Sequence, residues 1–254
     1  MSNANIPFNF WYGSYIKSLF VLANTINPGK DFTVQQTSDA MQCYIISMAR
    51  LLPGDDYIRE KWMNFIRMTP DVANSLLKEL PRFFSINPTY TNTIQTQGSK
   101  FLYYASQSRE SMFIWVYLLQ AYIFIIFNQE SRIPTLNQMK EIYNPDMMSK
   151  YDWGNPIWFV IHMSALHGPI LTNITDKVED YKAMLNCLQY LLPCPKCRAH
   201  LSENLKYFSI DRYPKSNEGL FRASWELHNK VNVEKDKPTP ALDFNTALNI
   251  YMPK

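Results

Sequence analysis

Along the second half of the chain, apolar side chains recur every three or four residues, and strand-type alternation is nearly absent. Trp158, Ile161, His162 and Ala165 share one face of a helix that Gly168-Pro169 stops. Asp176 is placed to cap a second helix running to about Leu192. A third is predicted from Pro195 to about Tyr207. After a loop containing Pro214, the run Ser216-Asn217-Glu218-Gly219 opens a fourth that ends near Val233. A polar, proline-containing stretch, Lys235 to Pro240, leads to a short last helix from about Ala241 to Tyr251. The pattern predicts an all-α fold. A bundle of four long helices and one short one fills residues 149–254, behind a helical domain at residues 1–148.

The first half reads as a worn copy of the second. Leu19-Phe20-Val21-Leu22 precedes Leu51-Leu52-Pro53 by nearly the span that separates Trp158-Phe159-Val160-Ile161 from Leu191-Leu192-Pro193. Gly54-Asp55-Asp56 then stands where Cys194-Pro195-Lys196 stands in the second half. Ser108-Arg109-Glu110-Ser111-Met112-Phe113 parallels Ser216-Asn217-Glu218-Gly219-Leu220-Phe221, which sets Gln120 opposite His228. An insertion around Arg82 to Gly98 separates the third and fourth helices of this copy. Such ordered matches point to a duplicated bundle whose first member lost its chemistry. The charge-free run Met112 to Phe127 is shorter than the roughly 20 residues a membrane helix needs. It is expected to be a core helix of the first bundle.

Composition adds limits. With 254 residues, 46% of them hydrophobic and 15% aromatic, the chain can bury a large core. A net charge of +3 gives no field suited to nucleic acid or a membrane surface, and neither partner is expected. Met1 to Asn9 has no basic stretch followed by an apolar run, so an intracellular protein without a signal peptide is expected.

There are four cysteines: Cys43, Cys187, Cys194 and Cys197. Leu192-Pro193-Cys194-Pro195-Lys196-Cys197 places a Cys-x-x-Cys where a helix begins. Pro193 breaks the preceding element and Pro195 suits a first turn. Free N–H groups, the positive end of the helix dipole and Lys196 all favour thiolate there. Such a pair suits either redox work or zinc, and Cys187, Cys194, Cys197 and His200 could offer a metal four ligands. A thioredoxin-like fold is excluded by the missing β-α-β pattern. Cys43 and Cys187 have no neighbouring cysteine in sequence and read as buried free thiols. His167 and His200 read as surface residues.

Two helix faces flank the motif. Trp158 and His162 lie at i and i+4; Trp225, His228 and Asn232 lie at i, i+3 and i+7. Together they can line a slot for a flat heteroaromatic ligand. The set comprises Trp153-Gly154-x-x-x-Trp158 with His162, Leu192-Pro193-Cys194-x-x-Cys197, and His228-Asn229-x-Val231-Asn232 with Lys237 after it. In that order it resembles the Erv/ALR-type FAD-linked sulfhydryl oxidases, and most closely those encoded by large DNA viruses. The resemblance covers roughly Tyr151 to Phe244.

That resemblance implies a thiol oxidase that forms disulfides in protein substrates. Substrate thiols would reduce Cys194 and Cys197, and electrons would pass to FAD and then to oxygen, giving hydrogen peroxide. Cys194 would face the substrate and Cys197 the flavin. Gly154, Trp158, His162, Trp225, His228, Asn229, Val231, Asn232, Lys237 and Phe244 would bind FAD. The resemblance also implies a homodimer or an internal pseudo-dimer, and action in the host cytoplasm at the viral assembly site or in the virion. Departures are Asn155 for a common Arg, Leu192 for a common Tyr, and Trp225 and Leu242 where cellular members hold a structural disulfide. The chain has no second Cys-x-x-Cys to relay electrons, so either substrate reaches Cys194 directly or a partner protein relays. A non-enzymatic virion scaffold that kept the fold is the contrasting reading.

Overall fold

The computed structural model describes residues 6–26, 32–79, 88–234 and 242–252. No strand occurs among them. The first half holds α1 (Phe8–Ala23), α2 (Val34–Arg50), α3 (Asp56–Ile66), α4 (Pro70–Glu79), α5 (Pro88–Gln97), α6 (Phe101–Ala105), α7 (Arg109–Ile126) and α8 (Leu136–Ile142). The second holds α9 (Lys150–His167), α10 (Ile174–Leu191), α11 (Pro195–Tyr207), α12 (Asn217–Val233) and α13 (Phe244–Ile250).

Short polar side chains set the helix starts. Thr33 and Gln36 form a capping box at α2, and Ser108 and Ser216 cap α7 and α12 by accepting the N–H of Ser111 and Gly219. At α10 the cap is Asn173, not Asp176: Asn173 Oδ1 accepts the Asp176 N–H at 2.9 Å. Asp176 sits in the first turn, where its negative charge suits the dipole and its carboxylate accepts a bond from Asn173 Nδ2. The helix therefore starts earlier than the sequence suggests. At the other end of α9, the buried Lys177 ammonium donates to the carbonyls of Ala165 and Gly168 and to Asn217 Oδ1. Its three protons satisfy acceptors that the end of the helix leaves open.

The expected duplication would pair α1, α2, α3 and α7 in order with α9, α10, α11 and α12, leaving α4, α5 and α6 between α3 and α7. The halves meet along elements so paired: α1 packs on α9, and α2 packs on α10 along the most extensive helix seam among the described residues. Tyr15 and Ser164 hydroxyls bond at 2.8 Å across the first seam, and Arg50 pairs with Asp180 at 3.0 Å across the second. Ser149 caps α9 at the predicted domain boundary, yet one hydrophobic core runs through both halves, from Trp11, Phe20 and Tyr44 to Val160, Tyr181 and Leu188.

The caps refine the register of the copies. Asp55 Oδ1 accepts the Ile58 N–H at 3.0 Å, as Cys194 Sγ accepts the Cys197 N–H at 3.1 Å. The cap in the first half is thus Asp55, and Gly54 is one extra residue between Pro53 and the cap. Its φ of 97° is left-handed, which glycine adopts without strain. The offset that carries Asp55 onto Cys194 also carries Leu19 onto Trp158.

α7 is the one helix among the described residues long and apolar enough to cross a membrane. It lies instead against α1, α3, α4 and α6, and its side chains from Met112 to Leu119 are all buried. The expectation of a core helix holds.

Candidate active site

Cys194 and Cys197 are joined by a disulfide at the start of α11. Pro193 keeps α10 from running on, and Pro195 at the first helical position needs no N–H partner. Both cysteines are half-buried, but they belong to different recesses. Cys197 lines an apolar cavity of about 530 Å³, counting the solvent space at its mouth, walled by Gly154, Ile157, Trp158, Leu188, Leu201 and Val231 among others. Cys194 lines an open groove of about 700 Å³ with Val21, Asn24, Met148, Trp153 and Arg198. The groove draws walls from both halves of the chain. Trp153 belongs to both recesses and stands between them.

Beside the cavity lies a layer of rings. The Trp158 indole and His228 imidazole are stacked, with centroids 3.9 Å apart and planes 7° from parallel. His162 is 3% exposed, and its Nε2 lies 3.1 Å from His228 Nδ1 while its Nδ1 lies 2.7 Å from Ser224 Oγ. The Ser224 hydroxyl proton goes to the Phe221 carbonyl at 2.7 Å. Ser224 Oγ therefore accepts from His162 Nδ1–H, which leaves His162 Nε2 to accept from His228 Nδ1–H. One helix turn of α12 thus fixes the tautomer of both histidines and the plane of His228. Burial, with a smaller contribution from His228, pushes the His162 pKa down to about 3, so the ring is neutral at physiological pH. Tyr251 closes the far side, 5.0 Å from His162 between ring centroids.

The other predicted residues are distributed around this layer. Gly154 faces open space: a Cβ placed on it meets nothing within 4 Å. Asn229 is half-buried and Asn232 buried on α12. Trp225 and Phe244 pack edge to face at 5.7 Å, with the Arg222 guanidinium 3.7 Å above Phe244, and neither lines the cavity. Lys237 lies outside the described residues.

Several residues escaped the sequence reading. His200 is not a surface residue. It lines the cavity, and its Nδ1 is buried with no hydrogen-bond partner. Its position three residues after Cys197, on the same face of α11, was the available signal. Ser224 and Tyr251 gave none, because a serine inside a helix and a tyrosine near the end of the chain are common. His167 is half-buried as well, with Nε2 bonded to the Tyr251 carbonyl at 2.7 Å. Of the two cysteines predicted to be solitary and buried, Cys187 is buried but Cys43 is exposed, and the two thiols influence each other's pKa. Among the described residues no cluster of His, Cys, Asp and Glu is placed to hold a metal ion, and Cys187 is directed to Cys43, away from the proposed zinc set.

A disulfide at a helix N-terminus, beside a mostly apolar cavity with aromatic and imidazole walls, suits two-electron thiol chemistry with a flat cofactor. Comparison with known proteins agrees. Residues 155–251 match the family model of the Erv1 / Alr family. A protein of Acanthamoeba polyphaga mimivirus, named as a probable FAD-linked sulfhydryl oxidase, is 37% identical over 91 residues, covering 35% of this chain and 63% of that protein. A protein of Invertebrate iridescent virus 3, also named as an FAD-linked sulfhydryl oxidase, is 30% identical over 89 residues, covering 34% and 57%. The chain therefore spans about three fifths of these curated relatives. No solved structure matches the chain.

Proposed function

We propose that residues 155–251, a segment with the Erv1 / Alr pattern, make this chain an FAD-dependent thiol oxidase that installs disulfides in protein substrates. The observation that carries this reading is the division of the disulfide between two recesses, Cys194 on an open groove and Cys197 on an apolar cavity.

The groove admits a substrate chain. A substrate thiolate attacks Cys194 Sγ and expels the Cys197 thiolate, which the α11 N-terminus stabilises. The second substrate thiol attacks the substrate sulfur of the mixed disulfide and releases Cys194. The substrate has then lost two electrons and two protons, and the Cys194/Cys197 pair is reduced. When bound, FAD supplies a two-electron acceptor for that pair and passes the electrons to molecular oxygen, giving hydrogen peroxide.

The residues present fit such a cofactor. The walls of the cavity are mostly apolar, and the unpartnered His200 Nδ1 offers one polar group to a ring edge. Gly154, Trp158, Val231 and His200 would contact the ring system. His162, held neutral, and His228, in a tautomer fixed by it, would orient it. Asn229 and Asn232 extend the same face of α12. The like-to-like packing of α1 on α9 and α2 on α10 also supports an internal pseudo-dimer in place of a two-chain one.

The purified protein, loaded with FAD, should be yellow. It should consume oxygen with dithiothreitol and with a reduced unfolded protein, and Cys197→Ser should abolish uptake. A colourless protein after loading, or oxygen uptake unchanged in Cys197→Ser, would overturn the reading.

A further inference from the structure

We infer that Cys43 and Cys187 form a second redox pair, a dithiol whose oxidation creates a disulfide fastening α2 of the first half to α10 of the second. The seam itself places them. Arg50 and Asp180 meet at 3.0 Å where the end of α2 passes the start of α10. Cys43 lies about two turns back along α2 from Arg50, and Cys187 the same distance forward along α10 from Asp180. In antiparallel helices, equal steps in opposite directions return to facing positions. Phe32 and Tyr190, 5.0 Å apart between ring centroids, continue the seam beyond them. The two thiols accordingly face each other across the seam, and each shifts the pKa of the other.

Their environments divide the labour. Cys43 is exposed, while Cys187 is 6% exposed and behind it. The Cys187 thiol donates to Cys43, and the Ser47 hydroxyl and Arg50 charge assist, which brings the Cys43 pKa down to about 6 against burial and Asp180. The same contact, with burial, raises Cys187. Cys43 is thus an accessible thiolate at neutral pH, with a protonated resolving thiol beside it.

The oxidant is an exchangeable disulfide. Cys43 attacks one of its sulfurs, a mixed disulfide forms, and the other sulfur leaves as thiolate. Cys187 loses its proton to solvent and attacks Cys43 Sγ, releasing the second thiolate. Cys43 and Cys187 lose two electrons, and the incoming disulfide gains them. The exchange is with a disulfide of another molecule. Only the choice of the Cys194–Cys197 disulfide of a second copy as that oxidant rests on the thiol-oxidase reading. Any oxidised small dithiol or glutathione serves the same chemistry.

The test uses the full chain equilibrated with reduced and oxidised glutathione at graded ratios, alkylated and mapped without reduction by mass spectrometry. A cross-linked pair of peptides containing Cys43 and Cys187, lighter by two hydrogens, is expected. Its formation should raise the melting temperature by about 5–15 °C over the reduced protein, because the bond closes a loop of more than half the chain. Cys43→Ser, a small change at an exposed site, should abolish both the cross-link and the shift. At neutral pH, iodoacetamide should modify Cys43 more than 100-fold faster than Cys187. If both thiols remain alkylatable, or carry only glutathione, at every ratio, the inference fails. If oxidised glutathione closes the bond in wild type and in Cys197→Ser, but air closes it in neither, the pair stands and the oxidase reading falls.

Discussion

The two halves of this chain, set against each other as the expected duplication pairs them, differ most where chemistry is placed. In the second half, Cys194 caps α11, Cys197 follows at the cavity, and Trp158, His162, Ser224 and His228 form a bonded and stacked layer. In the first half the matching positions hold Asp55, Ile58, Leu19, Ala23, Val116 and Gln120. Leu201, a wall of the cavity, corresponds to the fully buried Trp62, and Trp115, also fully buried, packs on Phe65 at 5.0 Å. A carboxylate caps the helix where a sulfur does in the second half, a buried tryptophan stands opposite the cavity wall Leu201, and neither thiol has a counterpart. All four histidines lie in the second half. The fold needs the packing and the caps but not the polar layer, so the layer is legible as a functional addition to a scaffold that stands without it.

The largest test of this contrast is on activity. Cys194→Ser and Cys197→Ser should each lower dithiol-dependent oxygen uptake by about 1,000-fold or more, since removing either sulfur removes the exchangeable bond altogether. The reciprocal change, Asp55→Cys with Ile58→Cys, should yield a protein that forms the new disulfide, seen by peptide mapping, without added oxygen uptake. Uptake gained through the first half would mean that a cofactor site survives there.

On stability, His162→Ala should cost about 3 kcal/mol. It opens a cavity and leaves Ser224 and His228 without their shared partner in a dry layer. Urea unfolding of the cofactor-free protein measures it, and a cost below about 1 kcal/mol would mean the network relaxes without it. Ser224→Ala should cost less but release the tautomer, so that flavin binding weakens more than stability does.

How much of this the sequence discloses depends on how local the signal is. The helices of the second half, and the start of α11 at Pro195, follow from caps, prolines and the 3.6-residue period, all of which act within a few residues. The Cys194/Cys197 pair and the Trp158/His162 face are local in the same sense. The α10 cap went to Asn173 because asparagine and aspartate compete on equal terms at a helix start, and only the backbone decides. The Cys43–Cys187 contact lies on opposite helices of a seam between halves, where no sequence spacing reports it. His200 turned inward because one face of α11, with Cys197 and Leu201, lines the cavity, and helix docking is set by packing, not propensity.

Acid should separate the halves next. The folded His162 pKa of about 3 lies below the ordinary value near 6.5, so the unfolded chain takes up the proton first. Its contribution is complete above about pH 6.5 and is lost as pH falls toward 3. At pH 5 the loss is about 2 kcal/mol. Urea midpoints of the cofactor-free protein between pH 7 and 5 should drop accordingly, and His162→Ala should flatten the slope. Amide exchange should show the loss first in α9 and α12, while α1 and α7, which carry no histidine, hold.

The smallest effect asked of the comparison concerns Gln120. It stands on α7 where His228 stands on α12, and its Oε1 is buried with no hydrogen-bond partner. His228 keeps a polar role by bonding His162; in the first half that partner is Ala23, which offers nothing. A buried carbonyl oxygen without a donor costs folding free energy, and an apolar side chain of similar size removes the cost. Gln120→Leu should therefore stabilise the protein by about 1 kcal/mol, read as a higher urea midpoint at unchanged slope. His228→Leu, the same substitution at the equivalent position, should weaken flavin retention and leave His162 Nε2 without its donor. Opposite signs at equivalent positions would show that the polar layer is kept only where it serves the site; a destabilising Gln120→Leu would show that the first half still uses it.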